Sequence, residues 1–220
     1  MKSEVYEIIK NQIITRELEP GQVLSEKKLM ATYNIGRTPL REVLMALKQD
    51  GLVNIISRYG TFVTPLDLRD FRDVMEIRMH NELLVADLAC ERINTEQLTE
   101  LKTTVTEAHE LLDSIKDLEG IIGHEERENL LKNFWMVEER FHNLLYTSTA
   151  NVYLIDIMKR LSLPSIRFWY YSIENADQMK KQFHDFEDIY DAIKDKDKQR
   201  CRDLLKRHIE LSIQQMMNKS

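Results

Sequence analysis

The chain has 220 residues, 43% of them hydrophobic, with only 6 Gly and 4 Pro, a balance that favours packed helices over a sandwich or barrel and allows one or two domains. Its 31 Lys and Arg against 37 Asp and Glu give a net charge of −6, which excludes a protein that wraps nucleic acid over its whole surface. The charge is uneven, however: residues 1–64 carry 9 basic and 7 acidic residues, and residues 65–220 carry 22 and 30.

The first informative element is a short helix starting at Ser25, whose hydroxyl can cap the free amides of the first turn. Leu29 and Met30 are its inward residues, and Glu26 and Lys27 open its exposed face. Tyr33 to Gly36 form a turn in which Asn34 and Gly36 tolerate positive φ and Ile35 can plug the angle between two helices. In the next helix Leu40, Val43, Leu44 and Leu47 share one apolar arc of about 100°. Arg37, Thr38, Arg41, Met45 and Lys48 fall on the adjoining arc, so three cations and a hydroxyl face solvent. Gly51 closes this helix. Val53 to Ile56 read as a strand, Ser57 to Gly60 as a turn with Arg58 at its tip, and Thr61 to Val63 as the returning strand. Together these are the parts of a winged helix-turn-helix, which suits duplex DNA, with Arg58 placed for a neighbouring minor groove. The plain alternative is an αα-hairpin whose arginines are only a solvated face.

Over about residues 3–64 the sequence resembles the DNA-binding domain of the GntR family of bacterial transcription regulators. The resemblance rests on a leading amphipathic helix (Val5, Ile8, Ile9, Ile13), the Glu19-Pro20-Gly21 turn, Ser25-Glu26, Arg37-Thr38-Pro39-Leu40-Arg41-Glu42, Gly51-Leu52-Val53 and the Gly60 wing. Gly36 departs from it, standing where the family usually carries Ser or Thr, so a hydroxyl contact to phosphate is lost. The resemblance implies DNA contacts from Lys27, Arg37, Thr38 and Arg41, with Arg58 and Gly60 from the wing. Arg41 is the candidate for bidentate guanine reading, and Lys27 and Lys48 for phosphate.

The hairpin ends near Thr64-Pro65, which divides the chain into residues 1–66 and 67–220. The second part reads as helices over about 68–92, 95–117, 122–149, 151–173 with Pro164 inside, 178–195 and 197–217, with Lys194-Asp195-Lys196-Asp197 as the clearest turn. The expected fold is therefore mainly α, a winged helix-turn-helix with a small β-hairpin followed by an all-α bundle. Phe71, Val74, Met75, Val85 and Leu88 make an inward stripe in whose middle Arg78 lies, with Glu82 beside it. A buried guanidinium needs a partner, either Glu82, another helix, or the carboxylate of a ligand. Glu138 and His142, spaced i, i+4, share a face with Phe134, Phe141 and Leu145, a spacing at which two side chains meet one metal ion. His208 lies among Leu204, Leu205 and Leu211, again inward. Singly, each histidine reads as a core residue; the combination points to ligands.

This part resembles the all-helical FCD effector domain of the FadR subfamily of GntR regulators over about residues 68–217. The matching pieces are Glu76-Ile77-Arg78 with Leu84–Ala89, Glu138 to Phe141-His142 with Asn151, Ile189 with Asp191-Ala192-Ile193, and His208. Many such domains hold a divalent metal through an Asp and three His, near which a small organic acid docks. Here the resemblance implies Glu138 for the Asp and His142 and His208 for two of the His, while Phe186 stands in the place of the third. His184 points about 160° away from Phe186 on a helix and does not replace it. With two His and one Glu, Zn²⁺ or a similar ion can still be held with an open position. A metal-free pocket is the other reading, with Arg78 and Arg167 as anion clamps and Phe186 as an apolar wall. The run Arg167-Phe168-Trp169-Tyr170-Tyr171 either lines the same cavity, Tyr170 included, or forms core or dimer contact.

The expectation is a ligand-responsive repressor, not an enzyme, binding a pseudo-palindromic operator as a homodimer and modulated by a small carboxylate effector. The rivals are a non-specific architectural DNA binder and a metal-dependent hydrolase built on Glu138, His142 and His208. No apolar stretch reaches 18 residues and no signal-like start appears, and Cys90 and Cys201 form no CxxC pair. A reducing cytoplasm without membrane contact is the simplest setting for them.

Overall fold

The computed structural model describes residues 2–117, 124–172 and 183–217. In chain order these form α1 (Lys2–Ile14), β1 (Val23–Leu24), α2 (Glu26–Thr32), α3 (Arg37–Gln49), β2 (Val53–Ile56), β3 (Gly60–Val63), α4 (Leu68–Arg92), α5 (Thr95–Asp117), α6 (His124–Ser148), α7 (Val152–Ser172), α8 (Phe186–Lys194) and α9 (Lys198–Met217). The expected mainly α architecture with a small N-terminal sheet is the one found. The chain divides into two compact units, Met1–Arg72 with Ser162–Tyr170, and Asp73–Leu161 with Tyr171–Ser220. The division falls inside α4 and α7, whereas the sequence suggested a boundary at Thr64-Pro65.

In the first unit, Leu40, Val43, Leu44 and Leu47 are all buried, as the helical wheel requires, and α3 packs on α1 through Val5, Ile9 and Ile13. Burial of side chains this size contributes about 1.5–3 kcal/mol each. One position in α1 differs from expectation: Ile8 is exposed and Ile14 is buried instead. The inward stripe of the 13-residue helix is Val5, Ile9, Ile13 and Ile14. Tyr6 reaches Asp50 at 2.5 Å and Tyr33 reaches Gln12 at 2.6 Å, tying α1 to the turn and to the far end of the helix-turn-helix.

The turns have identifiable chemistry. After α2, Asn34 adopts φ +48 and the Ile35 amide donates to the Met30 carbonyl at 3.2 Å, so the chain reverses with Ile35 buried in the corner. After α3, Gly51 takes φ +71, its amide donates to Lys48 and that of Leu52 to Leu47, the two bonds of a Schellman ending. The sheet has the order β1-β3-β2, with β2 and β3 pairing Val53 to Val63 and Ile56 to Gly60. Strand β1, absent from the sequence reading, pairs Val23 with Phe62 and Leu24 with Thr61. The segment Ser162–Tyr170 joins this unit through Phe168, whose ring is tilted against that of Phe71 with centroids 4.8 Å apart, and through Arg167, which donates to the Thr64 carbonyl at 2.6 Å.

The second unit is all helix. Asn94 opens α5 by accepting from the Gln97 amide at 2.8 Å while Gln97 accepts from the Asn94 amide at 3.2 Å, a reciprocal cap. Asn151 caps α7 by accepting from Leu154. At the α8–α9 turn Lys196 has φ +57, the Asp197 amide donates to Ala192, and the Asp197 carboxylate then caps α9 at the Arg200 amide. On α4 the buried stripe contains Phe71, Met75 and Val85, whereas Val74 and Leu88 are only half-buried and Ala86, Ala89 and Cys90 complete it. The first residues of the helices expected from 122 and from 178 lie outside the described residues; α6 is described from His124 and α8 from Phe186. The core here is aromatic: Phe141 stacks on Phe186 at 3.7 Å, and Phe134 on Phe183 at 3.8 Å.

Candidate functional site

In the first unit the cations expected to meet DNA are exposed on α2, α3 and the hairpin. With its apolar arc buried, α3 leaves Arg37, Thr38, Arg41 and Lys48 in solvent. Its N-cap is Gly36, extended at φ −72 and ψ 164, with no side-chain hydrogen bond to the first turn. Ser25 does cap α2, accepting from the Lys28 amide at 3.4 Å, and Lys27 is exposed one residue earlier. Glu26 stands between the two arginines, 3.7 Å from Arg37 Nε and 3.6 Å from Arg41 Nε. These are loose, half-solvated pairs that another anion can replace at small cost. At the wing, Arg58 is exposed with φ +68 and Gly60 takes φ +119, a conformation that L side chains rarely adopt. Tyr59 between them is 79% exposed. The sequence reading passed over this residue, although a large aromatic at a hairpin tip is itself a signal of a contact surface.

The second unit concentrates its polar groups in the interior. Glu138 and His142 stand one turn apart on α6, and His208 comes from α9, all three buried. Glu138 Oε1 is 3.2 Å from His142 Nε2 and 3.7 Å from His208 Nε2, and the two Nε2 atoms are 3.3 Å apart. One ligand atom from each of the three lies within 4.8 Å of the others, a group that can hold a divalent metal ion. The second carboxylate oxygen, Glu138 Oε2, is buried with no hydrogen-bond partner. An orphaned acceptor beside two imidazole nitrogens fits a cation and not an apolar core. Burial opposes the charge of Glu138, but His142 and then His208 outweigh it and hold the carboxyl well below the ordinary carboxylate range. Phe186 covers one side, 5.9 Å from the His208 ring and fully buried. His184 is exposed, 3.3 Å from Asp185 Oδ1, and stands outside the three-residue group.

Arg78 lies next to this cluster in the same unit. Its Nε donates to Glu82 Oε1 at 3.0 Å and its Nη2 to the Tyr146 hydroxyl at 3.3 Å, and Glu82 is 0% exposed. Burial opposes the guanidinium charge, yet Tyr146 and Glu82 more than offset it and raise its pKa. The internal partner open to Arg78 in the sequence is therefore Glu82 joined by a tyrosine that the sequence reading did not single out. Its signal is the spacing Glu138, His142, Tyr146, three residues on one helical stripe. Arg167 and Tyr170 are buried within the segment belonging to the first unit, and burial pushes the Arg167 guanidinium down to about 10, still protonated at neutral pH. Two grooves on the outer face of α5 and α6, of about 500 and 420 Å³, meet at Met136 and Arg140 and contain none of the buried cluster.

No helix among the described residues is long and apolar enough to cross a membrane. Residues 1–63 match the model of the bacterial regulatory proteins of the gntR family, and residues 73–211 match the FCD domain. The chain is 25% identical over 211 residues to the transcriptional repressor RspR of Escherichia coli, covering 96% of this chain and 86% of that protein. It is also 25% identical over 159 residues to the transcriptional regulator YdhC of Bacillus subtilis, where the match spans 72% of this chain and 65% of the relative. Among solved structures it superposes on McbR/YncC of E. coli with a TM-score of 0.79 at 20% identity, over 99% of this chain and 97% of the other. RspR and YdhC are both named as transcription regulators, and the two matched domains are those of regulators, not of an enzyme. With an N-terminal winged helix-turn-helix and an FCD bundle that both match over most of their length, the chain belongs to the gntR family of bacterial transcription regulators.

Proposed function

We propose that the protein is a homodimeric repressor that binds a pseudo-palindromic operator and is released or retained by a small carboxylate effector held in the helical unit. The observation that carries this reading is the exposed face of α3, where Arg37, Thr38 and Arg41 are solvent-facing and, among the described residues, answered only by Glu26 at 3.6 Å or more. Arg41 is the base reader, Arg37 and Thr38 flank it, and Lys27 and Lys48 take phosphates, with Arg58 and Gly60 shaping the wing contact. One helix-turn-helix reads few base pairs, so a two-fold pair of them supplies the affinity a regulator needs. The repressor sense follows from the relative RspR.

On the input side, Glu138, His142 and His208 would hold a divalent cation, which when bound supplies a Lewis-acidic position open to an effector carboxylate. Arg78 and Phe186 are the effector residues proposed beside it, whereas Arg167 and Tyr170, expected from the sequence in the same role, belong to the first unit and are not placed at this site. Arg78 is already committed to Glu82, so it serves an effector only by sharing or exchanging that carboxylate. The coupling required between effector and DNA is modest, about 1–3 kcal/mol for a 5–150-fold change in affinity.

Selection from a pool of random duplexes tests the reading. Enrichment of an inverted repeat that Arg41→Ala no longer recovers is the expected result. Even recovery of all sequences would identify an architectural binder and overturn the proposal. Repeating the selection with small organic acids, with and without Zn²⁺, finds the effector as the compound that changes operator affinity.

A further inference from the structure

His142 has two ring nitrogens with different neighbours, and the neighbours decide which one carries hydrogen. Nε2 faces Glu138 and His208, while Nδ1 lies 3.3 Å from the Tyr146 hydroxyl. That hydroxyl has one hydrogen to donate and lone pairs to accept with. Its shortest contact is to Glu82 Oε1, at 2.8 Å. Glu82 is salt-bridged to Arg78, so it is a carboxylate and only accepts; Arg78 Nη2, 3.3 Å from the tyrosine oxygen, only donates. The tyrosine hydrogen therefore goes to Glu82, and what Tyr146 offers His142 is a lone pair. Nε2 also faces an acceptor, Glu138 Oε1 at 3.2 Å, but His208 Nε2, 3.7 Å from the same oxygen, can supply that carboxylate, which leaves the hydrogen of His142 to Nδ1.

We propose that Tyr146, oriented by Arg78 and Glu82, is a positioning residue of the Glu138–His142–His208 cluster, fixing hydrogen on His142 Nδ1 and so presenting Nε2 to a cation. This rests on the reading that the cluster takes a divalent cation. Two further observations support it. Arg78 and Glu82 cancel one another in charge, which leaves Glu138 as the carboxylate of the group with only imidazoles beside it, its Oε2 unpartnered as that of Glu82 also is. And Glu138, His142 and Tyr146 repeat every four residues on α6, so one helical stripe carries a ligand, a second ligand and the residue behind it. Three protein ligands depend more on each one's orientation than four would, because Phe186 supplies no fourth nitrogen.

The test is Zn²⁺ affinity, measured by competition with a chromophoric chelator, for the full chain, Tyr146→Phe and Glu138→Gln. Tyr146→Phe keeps the ring and removes the hydroxyl, and it is expected to weaken Zn²⁺ binding by about 10–100-fold. Glu138→Gln should weaken it further. If Tyr146→Phe binds Zn²⁺ as the native chain does, the positioning role is wrong while the cation site stands. If the native chain itself takes up no Zn²⁺, the cation reading fails and the proposal with it. ¹⁵N NMR of the metal-free native chain, above the pH range in which histidines protonate, reads the tautomer independently of any variant. Hydrogen on Nδ1 of His142 is expected, and hydrogen on Nε2 overturns the proposal.

Discussion

Arg41 and Arg78 are the same side chain in opposite surroundings. Arg41 stands on α3 with its side chain 58% exposed and Glu26 at 3.6 Å, a distance at which no hydrogen bond is made. Arg78 stands on α4 with its side chain 8% exposed, hydrogen-bonded to Glu82 at 3.0 Å and to Tyr146 at 3.3 Å. Water screens the first pair, so its charge remains available to a phosphate or a guanine edge. The second cannot leave its carboxylate without stranding a charge in the interior. The contrast separates two uses of arginine: one held for an external partner, the other consumed in building the cluster around His142.

The strongest test of this contrast is to remove the internal partner. Glu82→Ala leaves Arg78 buried without its carboxylate and should cost about 3–5 kcal/mol of stability, measured by urea unfolding. Replacing both together, Arg78→Met with Glu82→Leu, should restore most of that loss, because the charge and its counter-charge go at once. A loss below about 1 kcal/mol for Glu82→Ala would mean that Arg78 reaches water, and the two arginines would then differ less than their exposure implies.

Arg41→Ala should leave stability nearly unchanged and cost about 1–3 kcal/mol in operator binding, concentrated on the preferred sequence. Lys27→Ala and Lys48→Ala should instead weaken all duplexes alike and flatten the salt dependence. Equal losses of Arg41→Ala on operator and random DNA would move this residue from base reading to phosphate binding.

How far each arginine could be understood from the sequence follows the same division. The wheel that buried Leu40, Val43, Leu44 and Leu47 also fixed which face Arg37 and Arg41 occupy, because an amphipathic helix has only one way to turn its apolar arc inward. The wheel also placed Arg78 and Glu82 on one side of α4, but Tyr146 answers them from 64 residues beyond Glu82, and no local period reaches that far. Strand β1 was invisible because two residues cannot display a period of two. Cys90 and Cys201 are a similar case. No motif links them, yet both are buried, on helices α4 and α9 that Lys198 and Glu91 join at 2.9 Å, and the Cys90 thiol donates to the Ala192 carbonyl at 3.9 Å. The Glu138–His142–His208 group was legible in its residues because i, i+4 spacing holds two of them; its orphaned Glu138 Oε2 was not.

Glu26 offers a smaller test of how freely Arg37 and Arg41 are held. Glu26→Gln removes a carboxylate that both arginines approach, and a half-solvated pair of this kind contributes about 0.2–1 kcal/mol. Operator affinity should therefore rise by up to about fivefold at low salt, with the gain vanishing as salt increases. A fall in affinity would show that Glu26 orients the arginines instead of competing for them.

The smallest effect is expected at the start of α3, where the two helices of the motif differ. Ser25 caps α2 with its hydroxyl, while Gly36 leaves the first turn of α3 without a side-chain partner. Gly36 has φ −72 and ψ 164, an extended geometry open to any residue, and a Cβ there meets Pro39 Cδ and Cγ at 3.7 and 3.8 Å, an ordinary contact. Gly36→Ser therefore fits without strain and should add a few tenths of a kcal/mol through the cap, read as a small rise in melting temperature. Because the positive end of the α3 dipole lies there, the new hydroxyl should also tighten binding to every duplex slightly and steepen nothing in the sequence preference. If stability rises while DNA affinity does not move, the N-terminus of α3 is not on a phosphate, and Arg37, one residue later, loses its place flanking Arg41 on the DNA. Arg41, a full turn further along the same face, would keep its role only by reaching the groove alone.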